Sequence, residues 1–189
     1  MRKIIWVFGL PGTGKSELIK NIQDNKDNIR EKLNIENNNI SYIDISHDFS
    51  NITDDYNETQ KRSKLILKRV NEFIDSFNDY LIITGQFIDL KDISENSLRS
   101  LDKAYPNIEK EIILLNIKDH DLLYERLKKT EWFQSNYERN LTRYPRNWID
   151  ISAKYLRDKV YLNENNGYKI TEIDTSEGYE FNSNKTNRR

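Results

Sequence analysis

At 189 residues, 36% of them hydrophobic and 32% charged, the chain is long enough for one domain with a proper core under a well-solvated surface. It has no cysteine, which excludes disulfides, thiolate metal sites and cysteine nucleophiles. A formal net charge of −1 offers no global attraction to nucleic acid, so any such contact must come from a local basic patch. No apolar run approaches the ~20 residues of a membrane span, and the N-terminus is expected to pass straight into a strand, so no membrane partner and a cytoplasmic location are expected.

The first element is read from Lys3-Ile4-Ile5-Trp6-Val7-Phe8. Five of these six residues are apolar and three are β-branched, the pattern of a strand buried on both faces. It runs directly into Gly9-Leu10-Pro11-Gly12-Thr13-Gly14-Lys15-Ser16, a complete G-x-x-x-x-G-K-[ST] phosphate-binding loop. In such a loop glycines turn backbone N–H groups toward phosphates, the lysine neutralises the β- and γ-oxygens and the hydroxyl reaches Mg²⁺. Leu18, Ile19 and Ile22 then fall on one side of a helix whose positive dipole end points at the loop. A strand before and a helix after are the context the motif requires, and the chain is read as binding a nucleoside triphosphate.

A polar stretch around 24–28 and a short helical piece over Ile29 to Leu33 follow, then a loop at 36–39. Ile40 to Ile45 reads as a second strand, ending in Asp44, Ser46, His47 and Asp48 at the sheet edge where open α/β folds hold ligands. Thr53 or Asp54 is a candidate cap for a long helix to about Phe77, with Ile66, Val70, Phe73, Ile74 and Phe77 recurring at helical spacing. Arg62, four residues before Ile66, is the basic residue of this helix expected to face inward. Tyr80 to Ile83 is a third strand, whose end at Thr84-Gly85-Gln86 allows close approach of a ligand to backbone. Ser94 can cap a helix bearing Leu98 and Leu101. Ile112 to Leu115 is the fourth strand, and Asp119 precedes a helix with Leu122, Leu123 and Leu127.

Residues 128–147 change character. Lys128, Lys129, Arg139, Arg143 and Arg146 alternate with Trp132, Phe133, Tyr137 and Tyr144, just after Arg126. The stretch is read as a mobile basic lid that would close over a triphosphate, although a charged surface over packed aromatics uses the same letters. A helix with Trp148, Ile151, Tyr155, Leu156 and Val160 leads to a fifth strand, Tyr168 to Ile173. Residues 1–176 are expected to form a single domain, with an acceptor-side helical segment at 46–77, and 177–189 a polar, frayed tail.

Strands separated by helices, with the phosphate loop after the first, describe an α/β fold with a parallel sheet and helices on both faces. The Gly9 to Ser16 loop, Asp44 and Asp48, the Leu123-Tyr124-Glu125-Arg126 turn before the lid and the Tyr168 to Asp174 strand resemble the P-loop kinases of the nucleotide, shikimate and polynucleotide kinase group. The resemblance implies a five-stranded sheet in the order 2-3-1-4-5, ATP as donor, Mg²⁺ as cofactor and an acceptor held between the second and third strands. It implies that Gly12, Thr13, Gly14 and Lys15 hold the phosphates, with Ser16 and Asp44 at the metal. Asp48 is the candidate base, and Arg126, Arg139 and Arg143 are the candidate charge stabilisers beside Lys15. Asp44, Arg62, Gly85 and Gln86 are expected on the acceptor side.

A mononucleotide acceptor is slightly favoured on the near-neutral charge, with a polynucleotide 5′-hydroxyl or a hydroxymethylated base in DNA as the alternative. The other class is a non-kinase NTPase or a nucleotide-binding scaffold. Asn116-Ile117-Lys118-Asp119 has the letters of a guanine motif in the wrong order, and Ile83-Thr84-Gly85 lacks the acidic strand end of motor ATPases.

Overall fold

The computed structural model describes residues 2–24, 29–45, 56–84, 105–161, 168–178 and 180–181, with the side chains of 56–64, 67, 180 and 181 outside that description. The chain forms a six-stranded sheet in the order β2-β3-β1-β4-β5-β6. Its strands are β1 Lys3–Phe8, β2 Ile40–Asp44, β3 Tyr80–Thr84, β4 Glu109–Asn116, β5 Lys169–Asp174 and β6 Glu180–Phe181. The first five are parallel in the expected 2-3-1-4-5 order, and β6 adds an antiparallel edge.

The helices are α1 Lys15–Gln23, α2 Ile29–Lys32, α3 Tyr56–Asp75, α4 His120–Lys128, α5 Glu131–Gln134, α6 Tyr137–Arg143 and α7 Arg146–Tyr161. Alternation along β1 divides them between two layers. Ile5 and Val7 face α1 and α2 through Leu18, Ile22, Ile29 and Leu33. Ile4, Trp6 and Phe8 face the larger core, made with Ile66, Val70 and Phe73 of α3, Leu123 and Leu127 of α4, and Ile149, Leu156 and Val160 of α7. Period-2 side-chain alternation thus lets one buried strand feed two cores.

Two boundaries differ from the sequence reading for physical reasons. α3 stops before Phe77, because the Ser76 hydroxyl and amide both donate to the Phe73 carbonyl (2.7 and 3.1 Å) and close the last turn. Phe77 is then 98% exposed, not inward-facing. β4 begins three residues before the apolar run, at Glu109, because its charged residues are neutralised across the sheet. Lys3 and Glu111 have side chains 3% and 0% exposed, and Lys3 Nζ lies 2.5 Å from Glu111 Oε2. Lys169 pairs with Glu111 Oε1 at 3.2 Å, the Thr171 hydroxyl donates to the same oxygen, and Lys3 Nζ donates to the Leu33 carbonyl (3.1 Å).

The helix expected around Leu98 and Leu101 and the cap expected at Thr53 or Asp54 lie outside the described residues, as does the tail beyond Phe181. No described helix is long and apolar enough to cross a membrane.

Candidate active site

The site is built at the carboxyl edge of the sheet, where β1 ends. Register puts Val7 level with Thr84 of β3, and Thr84 level with Asp44 of β2, so the loop after Phe8 rises beside the ends of β2 and β3. On the other side Phe8 is level with Leu114, and Asn116 with Asp174.

Three positions in this loop demand glycine, Gly14 through its φ of 89°. A Cβ on Gly9 would lie 2.4 Å from Thr13 Oγ1 and 3.1 Å from the Leu115 carbonyl oxygen, so only hydrogen fits there. Gly12 sits at φ 89° and packs its back against the Arg126–Leu127 backbone, where a Cβ would come within 3.0 Å of the Leu127 nitrogen. Gly14 is the N-cap of α1, whose first turn brings the Lys15 and Ser16 amides to the loop.

Thr13 is buried and turned inward. Its hydroxyl donates to the Leu10 carbonyl (2.8 Å), and its own carbonyl accepts from the Thr175 hydroxyl (2.9 Å). Lys15 Nζ is held across the loop by the carbonyls of Gly9 (2.8 Å) and Leu10 (3.1 Å). Burial pushes the Lys15 ammonium down to about 8, and the Asp44 carboxylate partly opposes the shift. Lys15 in the loop therefore lies within the electrostatic field of Asp44 at the end of β2. Ser16 is exposed at the start of α1.

The lowered Lys15 pKa has a pH consequence. Between pH 8 and 10.5 the unfolded chain carries the Lys15 proton and the folded chain does not, so this group raises folding stability as pH climbs through that window. Triphosphate binding needs the ammonium and works in the opposite direction. At pH 9 only about 10% of Lys15 would be protonated at a pKa near 8, so binding is expected to draw close to one proton from solution. Calorimetry in two buffers of different ionisation enthalpy measures this. The uptake should vanish in Lys15→Met.

The brace behind the loop is the part that sequence reading missed. Arg126, expected among the charge stabilisers, is committed elsewhere: its guanidinium donates to the Thr175 carbonyl (2.8 Å) and the Ser176 carbonyl (2.7 Å). Its fork ties the end of α4 to the turn after β5, while the α4 backbone supports Gly12. The same turn is fixed by Asp174, which accepts from the Ser176 amide (3.0 Å) and hydroxyl (2.6 Å) and pairs with Lys118 (3.1 Å). Burial alone would raise the Asp174 pKa, but the Ser176 bonds and Lys118 hold it below the usual carboxylate range.

The Asp174-Thr175-Ser176 sequence is itself a side-chain-stabilised turn signal, and this much could have been read. That it braces a loop 162 residues away could not. Thr175→Val keeps the shape and removes the hydroxyl that reaches the Thr13 and Asn116 carbonyls. It is expected to cost about 1–3 kcal/mol in chemical denaturation and to raise the KM for triphosphate.

Residues 128–147 are fastened down. Thr130 caps α5, its hydroxyl accepting from the Phe133 amide and donating to the Leu127 carbonyl. Phe133 is fully buried in the larger core, and buried Asn140 of α6 donates to the Trp132 and Phe133 carbonyls. Arg139 and Arg143 project from α6 as exposed side chains, Arg143 over the Tyr144 ring at 5.5 Å. Of the remaining predicted residues, Asp48, Gly85 and Gln86 lie outside the described residues. Arg62 falls within α3, but its side chain is outside the description.

Mg²⁺ is implied by the loop type. Among the described residues there is no group of three or more His, Cys, Asp or Glu that could hold a metal. The oxygen donors present, Ser16 and Asp44, fit an ion that takes one or two protein ligands and completes its shell with phosphates and water.

No family model matches the chain, and no curated protein matches it. Solved structures do. One from the PezAT chromosomal toxin–antitoxin system of Streptococcus pneumoniae superimposes with a TM-score of 0.56 at 16% identity, covering 99% of this chain and 74% of that one. The structure of APE1195 does so with a TM-score of 0.51, also at 16% identity, covering 80% and 77%. With the phosphate loop after β1 and the 2-3-1-4-5 order, the fold is P-loop kinase-like. At this identity the likeness is one of fold.

Proposed function

We propose that this chain is an ATP-dependent kinase that transfers the γ-phosphoryl group to a nucleotide-type acceptor. The observation that carries the reading is the glycine loop between β1 and α1 in a parallel sheet of order 2-3-1-4-5, with Asp44 at the end of β2 on the side where an acceptor would sit.

In this reading the loop amides and Lys15 hold the β- and γ-phosphates. An acceptor hydroxyl attacks the γ-phosphorus, the bond to the β–γ bridging oxygen breaks, and ADP leaves. The hydroxyl proton passes to a carboxylate, for which Asp48 is the candidate. Phosphoryl transfer asks the protein chiefly for positioning and charge stabilisation. Because Arg126 is bonded to two carbonyls, it is assigned a positioning role, and Arg139 and Arg143 are kept as the candidate cations for the transferring group. Ser16 and Asp44 would hold Mg²⁺, which would supply positive charge against the phosphates. The soluble acceptor pool suggests a cytoplasmic enzyme.

The test is transfer of labelled γ-phosphate from Mg-ATP to nucleosides, mononucleotides, 5′-hydroxyl oligonucleotides and hydroxymethyluracil-containing DNA, with Lys15→Ala as control. Label on an acceptor supports the kinase. Label released only as free phosphate would favour a non-kinase NTPase, and ATP binding without turnover a scaffold.

A further inference from the structure

The phosphate-loop pattern fixes Gly9, Gly14, Lys15 and the hydroxyl of Ser16, and leaves position 13 open. In this chain that open position carries a hydroxyl of its own. Thr13 is 1% exposed, so its side chain is closed off from a bound phosphate, and Oγ1 donates instead to the Leu10 carbonyl at 2.8 Å. Gly9 makes the room for it, since a Cβ there would lie 2.4 Å from Thr13 Oγ1.

Three donors meet at the Leu10 oxygen. They are the Thr13 hydroxyl at 2.8 Å, the Lys15 ammonium at 3.1 Å and the Thr13 amide at 3.2 Å. A carbonyl oxygen has two lone pairs, so the direction in which it points decides which donors it serves well. Its peptide group cannot be pinned by a hydrogen bond from the other edge, because that nitrogen belongs to Pro11 and carries no hydrogen.

The hydroxyl makes the shortest of these three bonds, and it comes from a side chain locked in the core. It therefore sets where the Leu10 oxygen points. Lys15 has one other carbonyl, that of Gly9 at 2.8 Å, and an ammonium on a flexible four-carbon stem is held in one place by two fixed acceptors better than by one. The Thr175 brace reaches a different peptide group, the Thr13 carbonyl, so it steadies the loop while the Thr13 hydroxyl steadies the lysine.

We propose that Thr13 is a positioning residue for phosphoryl transfer: its buried hydroxyl fixes the Leu10 carbonyl, which aims the Lys15 ammonium at the transferring phosphate. This deepens the kinase reading and rests on it for the chemistry, but not for the hold on the lysine. Preorganised charge is what such a transfer draws on, so a misaimed ammonium costs rate.

The experiment compares Thr13→Ser with Thr13→Ala in the full chain. Both lack the γ-methyl group, so they differ by the hydroxyl alone. Without nucleotide, ¹⁵N NMR of the lysine ammonium groups in cold, mildly acidic buffer measures how fast their hydrogens exchange with water, the Lys15 signal being assigned by its loss in Lys15→Met. Exchange at Lys15 is expected to be about three- to tenfold faster in Thr13→Ala than in Thr13→Ser, the span of one ordinary hydrogen bond. In labelled-phosphate transfer, kcat should be lower in Thr13→Ala by about the same factor, with the KM for ATP moving less. Placed in a Lys15→Met background, the two variants should transfer at one rate, because the lysine through which the hydroxyl acts is gone. Equal exchange at Lys15, equal kcat in Thr13→Ser and Thr13→Ala, or a kcat difference that persists in Lys15→Met would each overturn the positioning role while leaving the kinase reading intact. Faster exchange in Thr13→Ala with no transfer by the parent chain to any acceptor would overturn the kinase reading and leave the hold on Lys15 standing.

Discussion

Replacing Lys15 by methionine is expected to lower γ-phosphoryl transfer by about 10²–10³-fold, the range seen when one preorganised donor to developing charge is removed. The fold should not suffer. Burial penalises the Lys15 ammonium, whose pKa falls to about 8, and its hydrogen bonds are to the Gly9 and Leu10 carbonyls of the loop. The variant's thermal midpoint should therefore equal or exceed that of the parent at pH 7, where the charge would otherwise be present. Rate and stability moving in opposite directions is the signature to look for, by labelled-phosphate transfer and calorimetry on the same preparation. A variant that lost both together would place Lys15 in the scaffold and not in the chemistry.

The largest effect on stability is expected at the other end of the sheet. Glu111→Ala strips the partner from Lys3, a cation 3% exposed, and leaves it facing the Leu33 carbonyl and the more distant Glu109 at 3.5 Å. Breaking one member of a buried pair costs about 3–5 kcal/mol, a large part of the stability of a domain this size. Denaturant titration measures it. Replacing both members, Lys3→Met with Glu111→Leu, should recover most of the loss, because the cost lies in the uncompensated charge and not in missing volume. If the double variant were no better than the single one, packing and not electrostatics would hold β1 to β4.

These two regions also mark what can and cannot be read from a linear chain. The phosphate loop was legible because everything it needs is local: an apolar strand, glycines at fixed offsets and a helix start, all within about two dozen residues. The inward positions Ile66, Val70 and Phe73 of α3 were legible for the same reason, since helical periodicity is written along the chain. The early start of β4 was not. Glu109-Lys110-Glu111 has the composition of solvent-facing loop, and only the arrival of Lys3 and Lys169 from neighbouring strands allows Glu111 to be buried.

Arg126 has contacts that the sequence did not name. Its place at the root of a basic segment suggested a phosphate ligand, yet its partners are two carbonyls 49 and 50 residues downstream. Nothing in the neighbouring sequence names them. Phe77 shows the limit of periodicity itself: the apolar spacing ran one turn too far, and the Ser76 back-bond to Phe73 ended the helix first. β6 was invisible for want of length, being two residues that acquire strand geometry only by pairing with Ile173 and Asp174.

The bond from Thr175 to Thr13 spans 162 residues and has a meaning during synthesis. The glycine loop is synthesised long before the turn that steadies it. The loop therefore gains this brace only once the sheet is complete through β5.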